Sequence, residues 1–119
     1  MERHIRWNDI KPEALNPLLE RQFVTAQNVT LARFALRKGV VIPEHSHASE
    51  QLTSVLQGAL KLIFSGREVV VRAGEVVCIP PHQPHAAEAV EDTIVLDVFS
   101  PPRADWLQGD DAYLRGGKK

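Results

Sequence analysis

The chain is short of cysteine, of long apolar runs and of net charge, and each shortage removes a class of function. A single cysteine, Cys78, cannot close an intrachain disulfide. Its setting in Val76-Val77-Cys78-Ile79 predicts a buried, inert thiol. No apolar run approaches the roughly 20 residues of a membrane-crossing helix. The start, Met1-Glu2-Arg3-His4-Ile5-Arg6, is charged where a signal peptide would be apolar, so a cytoplasmic protein with no membrane partner is expected. With 14 Lys+Arg against 15 Asp+Glu and no basic cluster beyond Lys118-Lys119, the field that draws nucleic acid is missing. What remains, 119 residues of which 44% are hydrophobic and 24% charged, suits one folded domain.

Glycine is absent before Gly39 and then recurs at 58, 66 and 74. Between these positions lie short β-branched stretches at 30–36, 51–57, 60–64, 69–72, 76–79 and 93–99, too short for amphipathic helices. Their regular spacing predicts an all-β sandwich or barrel. Ser65-Gly66 and Ala73-Gly74-Glu75 read as turns, and Pro43, Pro80, Pro81, Pro84, Pro101 and Pro102 fall at the ends of stretches, where a missing N–H does least harm. Residues 1–28 carry Trp7, Ile10, Leu15, Leu18, Leu19 and Phe23 without a steady period and read as an arm, either a strap on its own barrel or a segment exchanged with a second subunit. We expect the barrel at 29–107 and a tail at 108–119, loose or pinned by Tyr113 and Leu114. The arm, together with the apolar strand face of Ile94, Leu96 and Val98, predicts a homodimer.

Four of the five histidines, His45, His47, His82 and His85, fall within 41 residues. In an extended segment His45 and His47 point the same way, near enough for both imidazoles to reach one metal ion. The framing residues carry more information. Gly39, His45-Ser46-His47, Gln51 and Gly58, followed by Gly74, Pro80 and His85, resemble in order and interval the two signatures of the cupin superfamily. The resemblance implies a double-stranded β-helix, the cupin jelly-roll barrel, holding one divalent metal in its mouth. His82 and Ala89 stand where that pattern has glycine and asparagine. His82 reads as an exposed turn residue at positive φ or as a substrate contact.

The family usually has Glu at the third ligand position, and here Glu50 and Gln51 compete. Alternation puts 45, 47, 51, 53 and 55 on one face and Glu50 on the other, which favours Gln51. A His45/His47/Gln51/His85 site supplies no negative charge, so the ion's +2 charge is left for an anionic substrate, and Ni, Fe, Mn, Zn or Co would suit.

In the stretch 93–99, Asp97 lies on a face shared with Thr93, Val95 and Phe99, where a carboxylate needs a reason. Either Arg103 or backbone donors hold it, or it serves as an acid or base beside the metal. The segment from Glu91 to Leu107, with the Glu50-Gln51 form of the first signature, looks like the pectin-degradation cupins, which open unsaturated uronates. That resemblance implies metal ligands at His45, His47, Gln51 and His85, catalytic and substrate roles for Asp97, Phe99 and Arg103, and a small anionic sugar acid as substrate. An iron dioxygenase and a non-catalytic sugar- or anion-binding barrel are the alternatives, because a fold does not fix a reaction.

Overall fold

In β3 (Thr30–Leu36) and β10 (Thr93–Ser100) burial alternates residue by residue, as in a sheet with one covered face. The computed structural model describes residues 1–116. Its other strands are β1 (Glu13–Asn16), β2 (Leu19–Thr25), β4 (Val41–His45), β5 (Glu50–Gln57), β6 (Ala59–Phe64), β7 (Arg67–Arg72), β8 (Val76–Ile79) and β9 (His85–Ala89). They form two antiparallel sheets, ordered β1-β2-β3-β10-β5-β8 and β4-β9-β6-β7. This is the jelly-roll arrangement that the cupin resemblance implies.

Phe34, Val55, Leu62, Val95 and Phe99 fill the space between the sheets and are almost fully buried, each worth about 1.5–3 kcal/mol of apolar transfer. β10 pairs with β3 on one side and β5 on the other, so Asp97 lies opposite Ala32 and Thr53, and Phe99 opposite Thr30 and Gln51. Gly58, between β5 and β6, has φ +88°, and a Cβ there would run into the Asp92 carbonyl and Thr93. No other residue type fits that turn without moving β10.

Strands β4 and β9 were not legible as strands. β4 carries Pro43, tolerated because β4 is an edge strand with a register irregularity between Ile42 and His45. β9 is alanine-rich and lacks the β-branched signature.

Within the expected arm, Glu13–Asn16 and Leu19–Thr25 are a hairpin that extends the larger sheet through β3. The obstacle to reading it was Arg21, which occupies an inward position between Leu19 and Phe23 and is 2% exposed. Its guanidinium bonds Asp111 at 2.9 Å and Glu13 at 3.1 Å, and lies over the rings of Phe23 and Trp106.

Those contacts also tie down the C-terminal segment. A short helix, α1 (Ala104–Leu107), leads to a 3-10 turn at Ala112–Arg115 with Asp111 and Leu114 buried. The tail is therefore pinned through Asp111, Tyr113 and Leu114, the second of the two expected alternatives; its last three residues lie outside the described ones. Cys78 needs a correction as well. It is exposed, because β8 is an edge strand whose outer face, with Val76, is uncovered. No helix among the described residues is long and apolar enough to cross a membrane.

Candidate metal centre

The last residue of β4 and the first of β9 are His45 and His85, paired across the smaller sheet. His47 lies in the segment that carries the chain from β4 into the larger sheet, where the His82 N–H donates to its carbonyl at 2.7 Å. That bond joins the two histidine segments. His82 itself has φ +66° and is exposed, as a turn residue.

Each imidazole of the cluster is oriented by a backbone carbonyl. Nδ1 of His45 meets Pro43 O, Nδ1 of His47 meets Ser49 O and Nδ1 of His85 meets Gln83 O, all at 2.8 Å. A carbonyl can only accept, so each Nδ1 carries the proton and each Nε2 keeps its lone pair, the state of a metal-ligating histidine. The three ligand atoms lie within 4.8 Å of one another. Burial holds the His45 pKa down at about 3, helped by the nearby His85, His47 and Arg103, and burial also lowers His47 and His85. All three are neutral at neutral pH.

Two observations test whether these residues fit a cation. His85 Nε2 is buried without any hydrogen-bond partner, an expensive arrangement for a lone pair that has nothing to bind. The Gln51 amide, with its NH2 donating to Thr53 Oγ1 at 2.8 Å, places Oε1 2.9 Å from His47 Nε2. Two acceptors facing each other are reconciled by a cation between them. The donor set fits a divalent metal held by His45, His47 and His85 with Gln51 beside them.

Gln51 is buried and Glu50 exposed, although the chain does not run as one strand from His45 to Gln51. It leaves β4 and enters β5 in the other sheet, so the alternation that places Gln51 begins afresh in β5.

Asp97 is 7% exposed, with Oδ1 unpartnered. Desolvation raises its pKa to about 6, tempered by hydrogen bonding from Thr53 and Gln51 and by the Arg103 charge. The Asp97–Arg103 pair considered above does not form. Arg103 Nε and Nη2 bond Asp105 at 3.0 and 2.7 Å, and Nη2 also donates to Tyr113 Oη at 2.7 Å. Its guanidinium lies 4.8 Å from the ring centroid of Phe99 and 4.5 Å from that of Trp106. Burial works against the charge of Arg103, but Asp105 and Tyr113 more than offset it.

His45, Gln51, His85, Asp97, Arg103 and Tyr113 line one cavity of about 50 Å³, with Phe99 and Trp106 among its apolar walls. Sequence reasoning missed Thr53, Asp105 and the site role of Tyr113. The last had a faint signal as the only tyrosine of the chain, isolated in a polar segment. A larger depression of about 340 Å³ lies at the opposite end of the six-stranded sheet, between Asn16, Arg37 and Asp92, away from the histidines.

The Cupin domain family matches residues 32–99, which include His45, His47, Gln51, His85, Asp97 and Phe99 but not Arg103, Asp105, Trp106 or Tyr113. The chain is 23% identical over 110 residues to the pectin degradation protein KdgF of Dickeya dadantii (strain 3937), covering 90% of this chain and 100% of that one. Among solved structures it is similar to KdgF from Halomonas sp., with TM-score 0.77 and 26% identity over 83% of this chain and 94% of that one. An RmlC-like cupin from Shewanella frigidimarina gives TM-score 0.81 and 26% identity over 89% and 96%. A family match running from β3 to the end of β10, on a barrel that superposes on solved cupins along nearly their whole length, makes this chain a member of the cupin family.

Proposed function

We propose that the protein is a metal-assisted enzyme that opens 4,5-unsaturated uronates, the sugar acids released in pectin or alginate breakdown, to linear keto acids. The observation that carries the reading is Asp97: a buried carboxylate with one unpartnered oxygen, in the cavity lined by His45 and His85, two of the three converging imidazoles. A pure anion binder has no use for it there. The similarity to two KdgF proteins supports the substrate class.

A divalent ion on His45, His47 and His85, with Gln51, would supply Lewis-acid polarisation of a substrate oxygen. The proton work belongs to the chain. With a pKa of about 6, Asp97 is ionised at neutral pH yet basic enough to accept the anomeric hydroxyl proton. Loss of that proton turns the C1 hydroxyl into an aldehyde carbonyl as the bond between C1 and the ring oxygen breaks, and the electron pair left on that oxygen gives an enolate across C5 and C4. Return of the proton to C4 gives the ketone, so no net proton, electron or co-reactant is consumed. Arg103, fixed by Asp105 and Tyr113, directs positive charge toward the sugar carboxylate, and Phe99 walls the cavity.

The test is nuclear magnetic resonance of an unsaturated uronate incubated with metal-loaded protein. A ketone at C5 and a new methylene at C4 are expected, and an unchanged ring after the spontaneous background is subtracted would reject the proposal.

A further inference from the structure

The cavity at the histidines, about 50 Å³, holds a water or two. Small-molecule sites usually take a few hundred Å³. On its outer side lies an open groove of about 610 Å³ lined by Glu44, Asp105 and Asp110. Among the described residues only His45 and Tyr113 line both spaces. His45 is fixed in β4 and paired to β9. Tyr113 instead stands on the short 3-10 turn, its ring 4.5 Å from that of His45 and its hydroxyl on Arg103.

We infer that Tyr113 determines specificity by size: its ring closes the barrel mouth, and a sugar-sized ligand reaches the histidines only when the Tyr113 side chain rotates away. The turn is held from one side by Arg21–Asp111 and Arg115–Asp111 ion pairs and by Asn16 on the Leu114 carbonyl, contacts that a small rotation of Tyr113 need not break. The outer groove is acidic, so an anionic sugar gains little there. Its favourable charge contact, Arg103, lies behind the ring. Size selection stands without the proposed function; only the sugar acid as the ligand admitted rests on it.

The experiment is modification of metal-free protein by diethyl pyrocarbonate, mapped by mass spectrometry, with exposed His4 and His82 as internal references. His85, whose Nε2 is buried, should react far more slowly than His82 in the wild type. Tyr113→Ala should raise the His85 rate about tenfold or more by removing the closing ring, while Tyr113→Phe, which keeps the ring, stays near wild type. Circular dichroism on the same samples checks folding, and Tyr113→Leu replaces the alanine variant if that one unfolds. Equal His85 rates in wild type and a folded Tyr113→Ala or Tyr113→Leu would overturn the inference. A second arm measures kcat/KM for an unsaturated uronate, expected to be higher, through KM, in Tyr113→Ala than in Tyr113→Phe, since both lack the hydroxyl on Arg103 and differ only in the closing ring. If no variant turns the uronate over, the proposed function fails while the His85 rates still decide the gate.

Discussion

Replacing Asp97 by asparagine separates a carboxylate kept for chemistry from one kept for stability. An ordinary aspartate titrates near 3.8, and burial lifts Asp97 to about 6. Between these values the folded protein binds more protons than the unfolded chain, so its stability falls as pH rises through the window and stays lower above it. A shift of about two units corresponds to ~3 kcal/mol of destabilisation at pH 7.5, an upper figure. Asparagine has no such titration. The stability difference, Asp97→Asn minus wild type, should therefore climb by up to ~3 kcal/mol between pH 4 and 7.5, or roughly 10 °C in Tm for a domain of this size. Burial works against the charges of Asp105 and Asp111, but their arginine partners hold both below the ordinary range. Their contributions, present at neutral pH and lost on acidification, are common to both proteins and cancel. Thermal or urea unfolding of metal-free protein across this pH range reads the slope, and any fixed offset from the new amide leaves it unaffected. A flat difference from pH 4 to 7.5 would refute the buried, unpartnered charge. After metal loading of the same preparations, turnover of Asp97→Asn should be about 10²-fold below wild type, the usual worth of a positioned base.

Elemental analysis of protein purified without chelator should find near one divalent ion per chain, with most of it lost in His47→Ala; full occupancy in a His45→Ala/His47→Ala variant would remove the ligand assignment. Gln51→Ala should weaken metal retention more than Glu50→Ala, since only Gln51 faces His47 Nε2. For assembly, we propose a homodimer built on the outer face of the six-stranded sheet, where Leu52, Leu56 and Val76 are exposed. Light scattering at micromolar concentration should give twice the chain mass, and a monomer mass would contradict it.

The barrel was legible because its strands obey simple alternation. Thr30–Leu36 and Val76–Ile79 emerge with the boundaries that the sequence suggests, and the Ser65-Gly66 turn joins β6 to β7. The elements that resisted were those whose inward positions hold something other than an apolar side chain. Arg21 disguised β2, and His85 with two alanines disguised β9. Much of the site followed from spacing, since His45 and His47 are near in sequence and His85 follows a proline turn. The environment of Arg103 did not. Its partners Asp105 and Tyr113 come from a polar segment with no periodicity, and only the fold reveals that this segment lies against the barrel mouth. The exposure of Cys78 is hidden for a related reason: an apolar run does not say which strand lies at a sheet edge.

In the function we propose, the histidine cluster and Asp97 act together to open an unsaturated sugar acid. The ultraviolet absorbance of the C4=C5 double bond, followed with protein whose metal content is known, reads that reaction without an intermediary. Decay well above the spontaneous rate is expected with metal-loaded wild type, and a rate near background for Asp97→Asn carrying the same metal. Decay at the spontaneous rate with fully loaded, folded wild type would contradict that function.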